Sequence, residues 1–199
     1  MRERKRERTR AAIIEAAMNL FESRGYDGTT VADIAAAADI GTRTFFGYFA
    51  SKEELIFPEA DIRVRAAVDA IAARGPADTP ADVLLRALST VAADGLAMFG
   101  PTAELRMRLV QTVPAVRGRA LQIQQDAQRE IARHLRAAYP TELDEVSAGA
   151  IVGAFVGAVT GAVQAMIDRD FDGAGPDDID GRRRLLRHAT DLALRPWQS

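Results

Sequence analysis

Residues 29–54 constrain the fold more than any other stretch, because they have the pattern of two short helices joined by a tight turn. Within the first helix, Val31, Ile34, Ala35 and Ala38 recur at the spacing of one helical face. Thr30 precedes this face as an N-cap residue, with an acidic residue three positions later. We therefore expect a short helix that buries one apolar side.

The second helix follows a break at residues 39–41. A projection at about 100° per residue puts Phe45 and Phe49 on one side. The opposite side carries three other residues, namely Arg43, Thr44 and Gly47. We expect the aromatic side to be buried. Phe46 lies at its edge and is expected in the core, with contact to DNA as the alternative.

A longer helix, the fourth of the chain, is predicted to begin at residues 51–54. Ser51 and Glu54 have the spacing of a capping box, with the serine at the N-cap and the glutamate at N3. A helix, a tight turn containing Gly41 and a second helix together form the helix-turn-helix, a motif that reads the DNA major groove.

These residues also resemble a known family. The resemblance rests on the run Thr29-Thr30-Val31, Asp33-Ile34-Ala35, Ala38, Ile40-Gly41, Arg43-Thr44-Phe45-Phe46, Tyr48-Phe49 and Ser51-Lys52-Glu53-Glu54-Leu55. It is similar to the N-terminal signature of TetR-type (tetracycline-repressor-like) transcriptional regulators. The resemblance implies a homodimer with one helix-turn-helix per subunit and a helical C-terminal domain that binds a small molecule. The sequence after residue 55 resembles the family only in size and helical character.

The DNA-binding residues expected from the projection and the resemblance are Thr30, Gly41, Thr42, Arg43, Thr44, Gly47, Tyr48 and Lys52. Arg43 has the donors to bond guanine O6 and N7, and the methyl group of Thr44 suits a thymine methyl. By resemblance, Thr30, Tyr48 and Lys52 anchor phosphates. Relatives often carry a large or basic residue where this chain has Gly47, so one contact is expected to be missing.

Charge is distributed unevenly along the chain. The net charge is −2, yet residues 1–10 carry six basic and two acidic residues, a net charge of +4. A basic N-terminal arm on an acidic body suits a protein that contacts phosphate at one end, although a solvated leader has the same composition.

The chain has no cysteine, which excludes disulfides and thiolate metal sites. It also has no apolar leader, and both features suit a cytoplasmic location.

The rest of the chain reads as helices, so the predicted fold is all-α. The first helix is expected from Thr9 to Arg24 and a fourth from Lys52 to Ala73, bent or broken at Pro58. Thr79 and Pro80 read as the N-cap and N1 of a fifth helix after a linker. We divide the chain into a helix-turn-helix domain, residues 1–52, and a helical effector-binding and dimerisation domain, residues 53–199.

Residues 146–167 form an uncharged stretch long enough to cross a bilayer. We reject a membrane span because the stretch is rich in Ala and Gly and is flanked by acidic residues. Four glycines in it recur at every fourth position: Gly149, Gly153, Gly157 and Gly161. This glycine ridge would let another helix approach closely, either within the subunit or in a homodimer.

The expected partners are double-stranded operator DNA and a small, largely apolar effector. Candidate effector residues combine flexible apolar side chains with amides: Met98, Phe99, Met107, Val110, Gln111, Gln124, Gln128, Phe155 and Met166. Each of them suits a packed core equally well.

No pattern predicts a catalytic residue, a metal site or a cofactor, because the two histidines are isolated. The alternative function is a helical small-molecule-binding protein or enzyme without a DNA-binding role.

Overall fold

The computed structural model describes residues 2–58, 60–93, 101–171 and 179–198. Within these ranges the chain is helical and has no strand, which confirms the all-α prediction. The α-helices are α1 (Arg2–Arg24), α2 (Val31–Ala37), α3 (Thr42–Phe46), α4 (Ala60–Ala72), α5 (Pro80–Ala93), α6 (Pro101–Thr112), α7 (Pro114–Ala138), α8 (Glu145–Phe171) and α9 (Ile179–Leu194). Short 3₁₀ turns lie at Glu53–Ile56 and Arg195–Trp197.

The first compact unit comprises Met1–Pro58 together with Leu105–Leu121. Its core holds the apolar faces of α1, α2 and α3, and Leu55 and Ile56 are fully buried in it. Leu105, Leu109 and Val116, from α6 and α7, lie in the same core. The unit therefore continues past the boundary at residue 52 that the sequence suggested, because side chains distant in the chain complete its core.

Two helix boundaries differ from those predicted. Helix α1 begins at Arg2 rather than at Thr9, so the basic arm is helical, as its arginines and glutamates favour. The helix expected over residues 52–73 is broken: a 3₁₀ turn ends at Ile56, and α4 starts at Ala60. Pro58 explains the break, because a residue before proline is disfavoured in the helical region.

The second compact unit comprises Glu59–Glu104 and Gln122–Ser199. Helix α4 packs against α5 and α8 against α9, and all four contribute to one apolar core with residues of α7. Thr79 caps α5 as predicted: its Oγ1 accepts a hydrogen bond from the Asp82 amide at 3.2 Å, and the Asp82 carboxylate accepts one from the Thr79 amide at 2.9 Å. Tyr139 also donates to the carbonyl of Asp78 at 2.9 Å.

Helix α8 is unusually apolar for its exposure. Its segment Glu145–Arg169 is long and apolar enough, by length and composition, to span a membrane. Only 22% of an apolar 18-residue stretch within this segment is buried. Among the described residues it is the only such segment. A large part of its apolar surface is therefore uncovered within one subunit.

Candidate nucleic-acid interface

The start of α2 is held by a capping box. The Thr30 amide donates to the Asp33 carboxylate at 2.9 Å, and the Asp33 amide donates to Thr30 Oγ1 at 3.1 Å. The hydrogen bonds from the Thr30 side chain and backbone lower the pKa of Asp33. This confirms Thr30 as the N-cap of α2 and shows that its hydroxyl already has a partner.

The turn between α2 and α3 depends on an aspartate rather than on the expected glycine. Asp39 has a left-handed backbone with φ of 53°, whereas Gly41 is extended at φ of −79° and is the N-cap of α3. Aspartate tolerates this conformation better than most residues do. The Ile40 amide donates to the Ala35 carbonyl at 2.9 Å and closes the turn.

Helix α3 is oriented as predicted. Phe45 is fully buried and Phe49 is 4% exposed, and their ring centroids lie 5.9 Å apart. Four residues expected to face DNA are exposed: Thr42, Arg43, Thr44 and Gly47. Phe46 departs from the expectation of a core position, because 57% of its surface is exposed. The aromatic base thus holds a five-residue helix whose outer face is open.

Two arginines of α1 lie against the aromatic residues that follow α3. The Arg6 guanidinium lies 5.9 Å from the ring centroid of Tyr48, which is half-buried. The Arg10 guanidinium lies 5.3 Å from that of Phe49, and its Nη2 donates to the Pro58 carbonyl at 3.1 Å. The helical start of α1 therefore brings part of the basic arm beside α3.

Lys52 is a hydrogen-bonded tether. Its Nζ donates to the carbonyls of Tyr26 at 2.9 Å and Thr29 at 3.1 Å, and lies 3.9 Å from the Tyr26 ring centroid. Because an ammonium has three donors, these bonds leave one N–H. Lys52 thereby holds the loop between α1 and α2, which sequence reasoning missed because its partners lie more than twenty residues away.

The phenol of Tyr26 donates to the carboxylate of Glu53 beside this tether. Burial first, and then this hydrogen bond, raise the pKa of Tyr26. For Glu53 burial acts in the opposite sense, but hydrogen bonds from Ser51 and Tyr26 hold its pKa below the ordinary value. The loop after α1 and the 3₁₀ turn are thus joined by Lys52 and Glu53.

Glu54 has a different partner from the one its sequence position suggested. Its carboxylate accepts from the Ala50 amide at 2.9 Å and from Arg119 Nη2 at 2.9 Å. Arg106 Nε donates to the carbonyl of Ile56. Residues of α6 and α7 therefore hold the 3₁₀ turn, whose N-cap is Lys52 rather than the expected Ser51, without a side-chain capping hydrogen bond.

The candidate effector residues fall in both compact units. Residues 107, 110 and 111 belong to the first unit, where Val110 packs on the core and Gln111 is exposed. Phe155 and Met166 are buried in the core of the second unit, and Gln124 and Gln128 are half-buried there. Met98 and Phe99 lie outside the described residues.

The glycine ridge of α8 faces open space within the subunit. A Cβ atom at Gly149, Gly153, Gly157 or Gly161 would have no described atom of another helix within 4 Å. Other apolar side chains of the same two helices are also exposed, with Val146 of α8 at 79% and Leu192 of α9 at 56%. In the described part of the chain, no helix therefore occupies the ridge.

Comparison with known proteins agrees with this geometry. The family model for bacterial regulatory proteins of the tetR family matches residues 13–57, from α1 to the end of the 3₁₀ turn. HTH-type transcriptional regulator TcmR of Streptomyces glaucescens is 32% identical over 150 residues, which span 73% of this chain and 66% of that protein.

Two solved structures share the fold. A candidate TetR-family transcriptional regulator from Mesorhizobium loti MAFF303099 superposes with a TM-score of 0.58 at 16% identity, covering 98% of both chains. A candidate fatty acid metabolism regulator from Clostridium perfringens superposes with a TM-score of 0.60 at 21% identity, covering 92% of this chain and 97% of that one. At these identities the likeness concerns the fold alone.

Proposed function

Because the chain belongs to the TetR family of bacterial regulatory proteins, we propose that it is a homodimeric repressor that an effector releases from its operator. The chain is a DNA-binding transcriptional regulator rather than an enzyme. The observation that carries the proposal is the outer face of α3, where Arg43 and its polar neighbours are exposed on a buried aromatic base. It acts on DNA in the cytoplasm.

Base reading is assigned to the exposed face of α3. Arg43 bonds O6 and N7 of a guanine in the major groove, and the Thr44 methyl group contacts a thymine methyl. Gly41 and Thr42, at the start of the helix, and Gly47, at its end, lie close to the same groove. A Cβ added at Gly47 would lie 3.2 Å from the Thr44 carbonyl oxygen, so a larger residue there requires a small shift of the helix end.

Phosphate contacts are assigned to residues around α3. Tyr48 offers a phenol hydroxyl, and the Arg6 guanidinium lies 5.9 Å from its ring centroid. Lys52 has one N–H left after its bonds to the two carbonyls, and Thr30 shares its hydroxyl with Asp33. Such contacts set the position of the protein on the duplex without reading sequence.

Dimerisation is assigned to α8 and α9. Support comes from the open glycine ridge, from the low burial of the apolar helix α8, and from the exposed Leu185 and Leu192 on α9. A second copy of the chain is the partner that fits, because specific reading by so small a helix requires two units at a fixed spacing on DNA. The two-fold contact brings the same ridge from each subunit together.

Effector binding is assigned to the second unit. The half-buried amides Gln124 and Gln128 on α7 belong to the same unit as the buried Phe155 and Met166, a combination that suits a largely apolar, uncharged molecule. An effector that binds one arrangement of the dimer more tightly than another would shift the dimer toward the first arrangement. This shift would change the separation of the two α3 helices, as required for release.

Arg43→Ala tests base reading. Operator binding should weaken by about 1–3 kcal/mol, with relaxed preference at one position in each half-site. Arg108→Ala, which removes an exposed arginine from α6 in the same unit, is the matched control. Titrations of operator and random duplexes measure both variants. An equal loss on operator and random DNA would reduce Arg43 to a phosphate contact.

A further inference from the structure

The exposed phenyl ring of Phe46 has no role in the contacts described above. It lies on α3 with 57% of its surface exposed, three residues after Arg43 and four after Thr42. Residues at these spacings are neighbours on a helix surface. Resting on the proposed function, we propose that Phe46 reads sequence by contacting a thymine methyl group in the major groove.

The ring is braced from below. The Phe45 and Phe46 centroids lie 5.4 Å apart with an interplanar angle of 86°, an edge-to-face arrangement, and Phe45 is fully buried. A phenylalanine has two side-chain torsions, so little conformational freedom remains to be lost on binding. The structure thus presents a positioned apolar surface to solvent.

The chemistry of the ring selects its partner. Phe46 has no donor for a phosphate oxygen and no polar atom for a base edge. In the major groove, the apolar group on a base edge is the C5-methyl of thymine. A protein partner seated on Phe46 would also cover Arg43 next to it, which the reading of DNA by α3 does not permit.

The inference predicts a sequence feature. Three residues of helix correspond to a rise of about 4.5 Å, and successive base pairs are about 3.4 Å apart. Each half-site should therefore contain a thymine about one base-pair step from the guanine bonded by Arg43. Thr44 lies roughly 160° around the helix from Phe46, so its methyl contact falls on a different base.

The test begins with operator selection from random duplex DNA by the full chain. Uracil then replaces thymine at each selected position, which removes only the methyl group. The wild type should bind about fourfold more weakly when the Phe46 thymine is replaced, the value for one buried methyl group. Phe46→Ala should bind the thymine and uracil duplexes equally. In duplexes that carry cytosine at that position, replacing the cytosine by 5-methylcytosine should strengthen wild-type binding.

Three variants make the result specific. Phe46→Gln keeps an extended side chain but replaces the apolar ring by a polar amide, and it should also lose the methyl sensitivity. Thr44→Ser should retain sensitivity at the Phe46 thymine and lose it at another. Leu121→Ala removes a side chain that is 60% exposed in the same unit and should keep every preference of the wild type.

Four outcomes would overturn the inference. Uracil sensitivity that persists in Phe46→Ala assigns the methyl contact to another residue, and equal losses on operator and random DNA assign the ring to the sugar-phosphate backbone. If the wild type selects no sequence, the proposed function fails and the inference fails with it. A selected operator that is indifferent to Phe46 overturns the inference alone.

Discussion

At the scale of single residues, Lys52 combines two tasks. Its bonds to the Tyr26 and Thr29 carbonyls fix the entry to α2, and its remaining N–H is the one available to a phosphate. A lysine can act in this way because its three donors lie on one compact ammonium group. Structural and DNA-binding roles at such a residue are separable, because only a phosphate contact releases counterions.

Lys52→Met should lower both the stability of the protein and its affinity for all DNA sequences. In a plot of log affinity against log salt concentration, the slope should become shallower by about 1, as expected for one lost phosphate contact. Lys5→Met, which removes an exposed lysine of α1, should leave the unfolding free energy unchanged. A loss of stability with an unaltered salt slope would restrict Lys52 to its structural role.

Glu53 should contribute to the acid sensitivity of the fold. Its pKa is held below the ordinary value of 4.5 in spite of burial, by hydrogen bonds from Ser51 and Tyr26. A carboxyl group whose pKa is lowered by folding stabilises the folded state at a pH above its unfolded-state pKa. This stabilisation disappears as the pH falls through its folded-state pKa. We expect urea unfolding to show a stability loss that sets in as the pH falls below 4.5.

Glu53→Gln should be less stable than the wild type at neutral pH and should show a shallower loss of stability in acid. Glu22→Gln, an exposed change on α1, controls for the altered net charge. Identical acid profiles for Glu53→Gln and the wild type would show that other carboxylates govern the transition.

At the scale of elements, the loop from α1 to α2 has little room. A Cβ atom on Gly28 would lie 2.6 Å from the carbonyl oxygen of Arg24, so even alanine forces the backbone to move. Lys52 and Thr29 hold the same loop: Thr29 Oγ1 donates to the Gly25 carbonyl at 2.8 Å. The entry angle of α2, and hence the position of α3, depends on this close approach.

Gly28→Ala should destabilise the protein by about 1–3 kcal/mol, the usual cost of overpacking. Gly41→Ala is the matched control, because its φ of −79° suits any residue and its Cβ would meet nothing within 4 Å. Denaturant unfolding compares the two variants. Equal stability of both would mean that the loop relaxes around the added methyl group.

At the scale of the whole molecule, dimerisation determines whether two α3 helices reach DNA together. The described residues leave the glycine ridge open, so a leucine there meets none of them and would clash with a second copy seated on the ridge. Glycine is also a poor helix former, so its replacement by leucine favours the isolated helix by up to about 1 kcal/mol.

Gly157→Leu should therefore give a folded monomer that is no less helical than the wild type and binds operator weakly. Gly118→Leu, at an exposed glycine of α7 with equal space for a Cβ, should remain a dimer. Sedimentation velocity and circular dichroism measure assembly and folding. A Gly157→Leu dimer that still binds operator would remove α8 from the interface.

Local sequence determined the helical class, the capping of α2 and α5, and the side of α3 that is buried. Each of these depends on residues within one or two helical turns: Thr30 with Asp33, Thr79 with Asp82, and Phe45 with Phe49. Helical periodicity and capping chemistry operate over that distance, so the residue pattern was sufficient.

Only the tertiary structure decided which distant groups meet. It placed Lys52 on the Tyr26 and Thr29 carbonyls, added residues 105–121 to the first unit and left Phe46 exposed. Periodicity identifies the apolar face of a helix but not the element that covers it, because packing depends on where the whole chain brings other side chains. The open ridge of α8 follows the same rule: four glycines allow a close approach, and only the folded subunit shows that no described neighbour makes it.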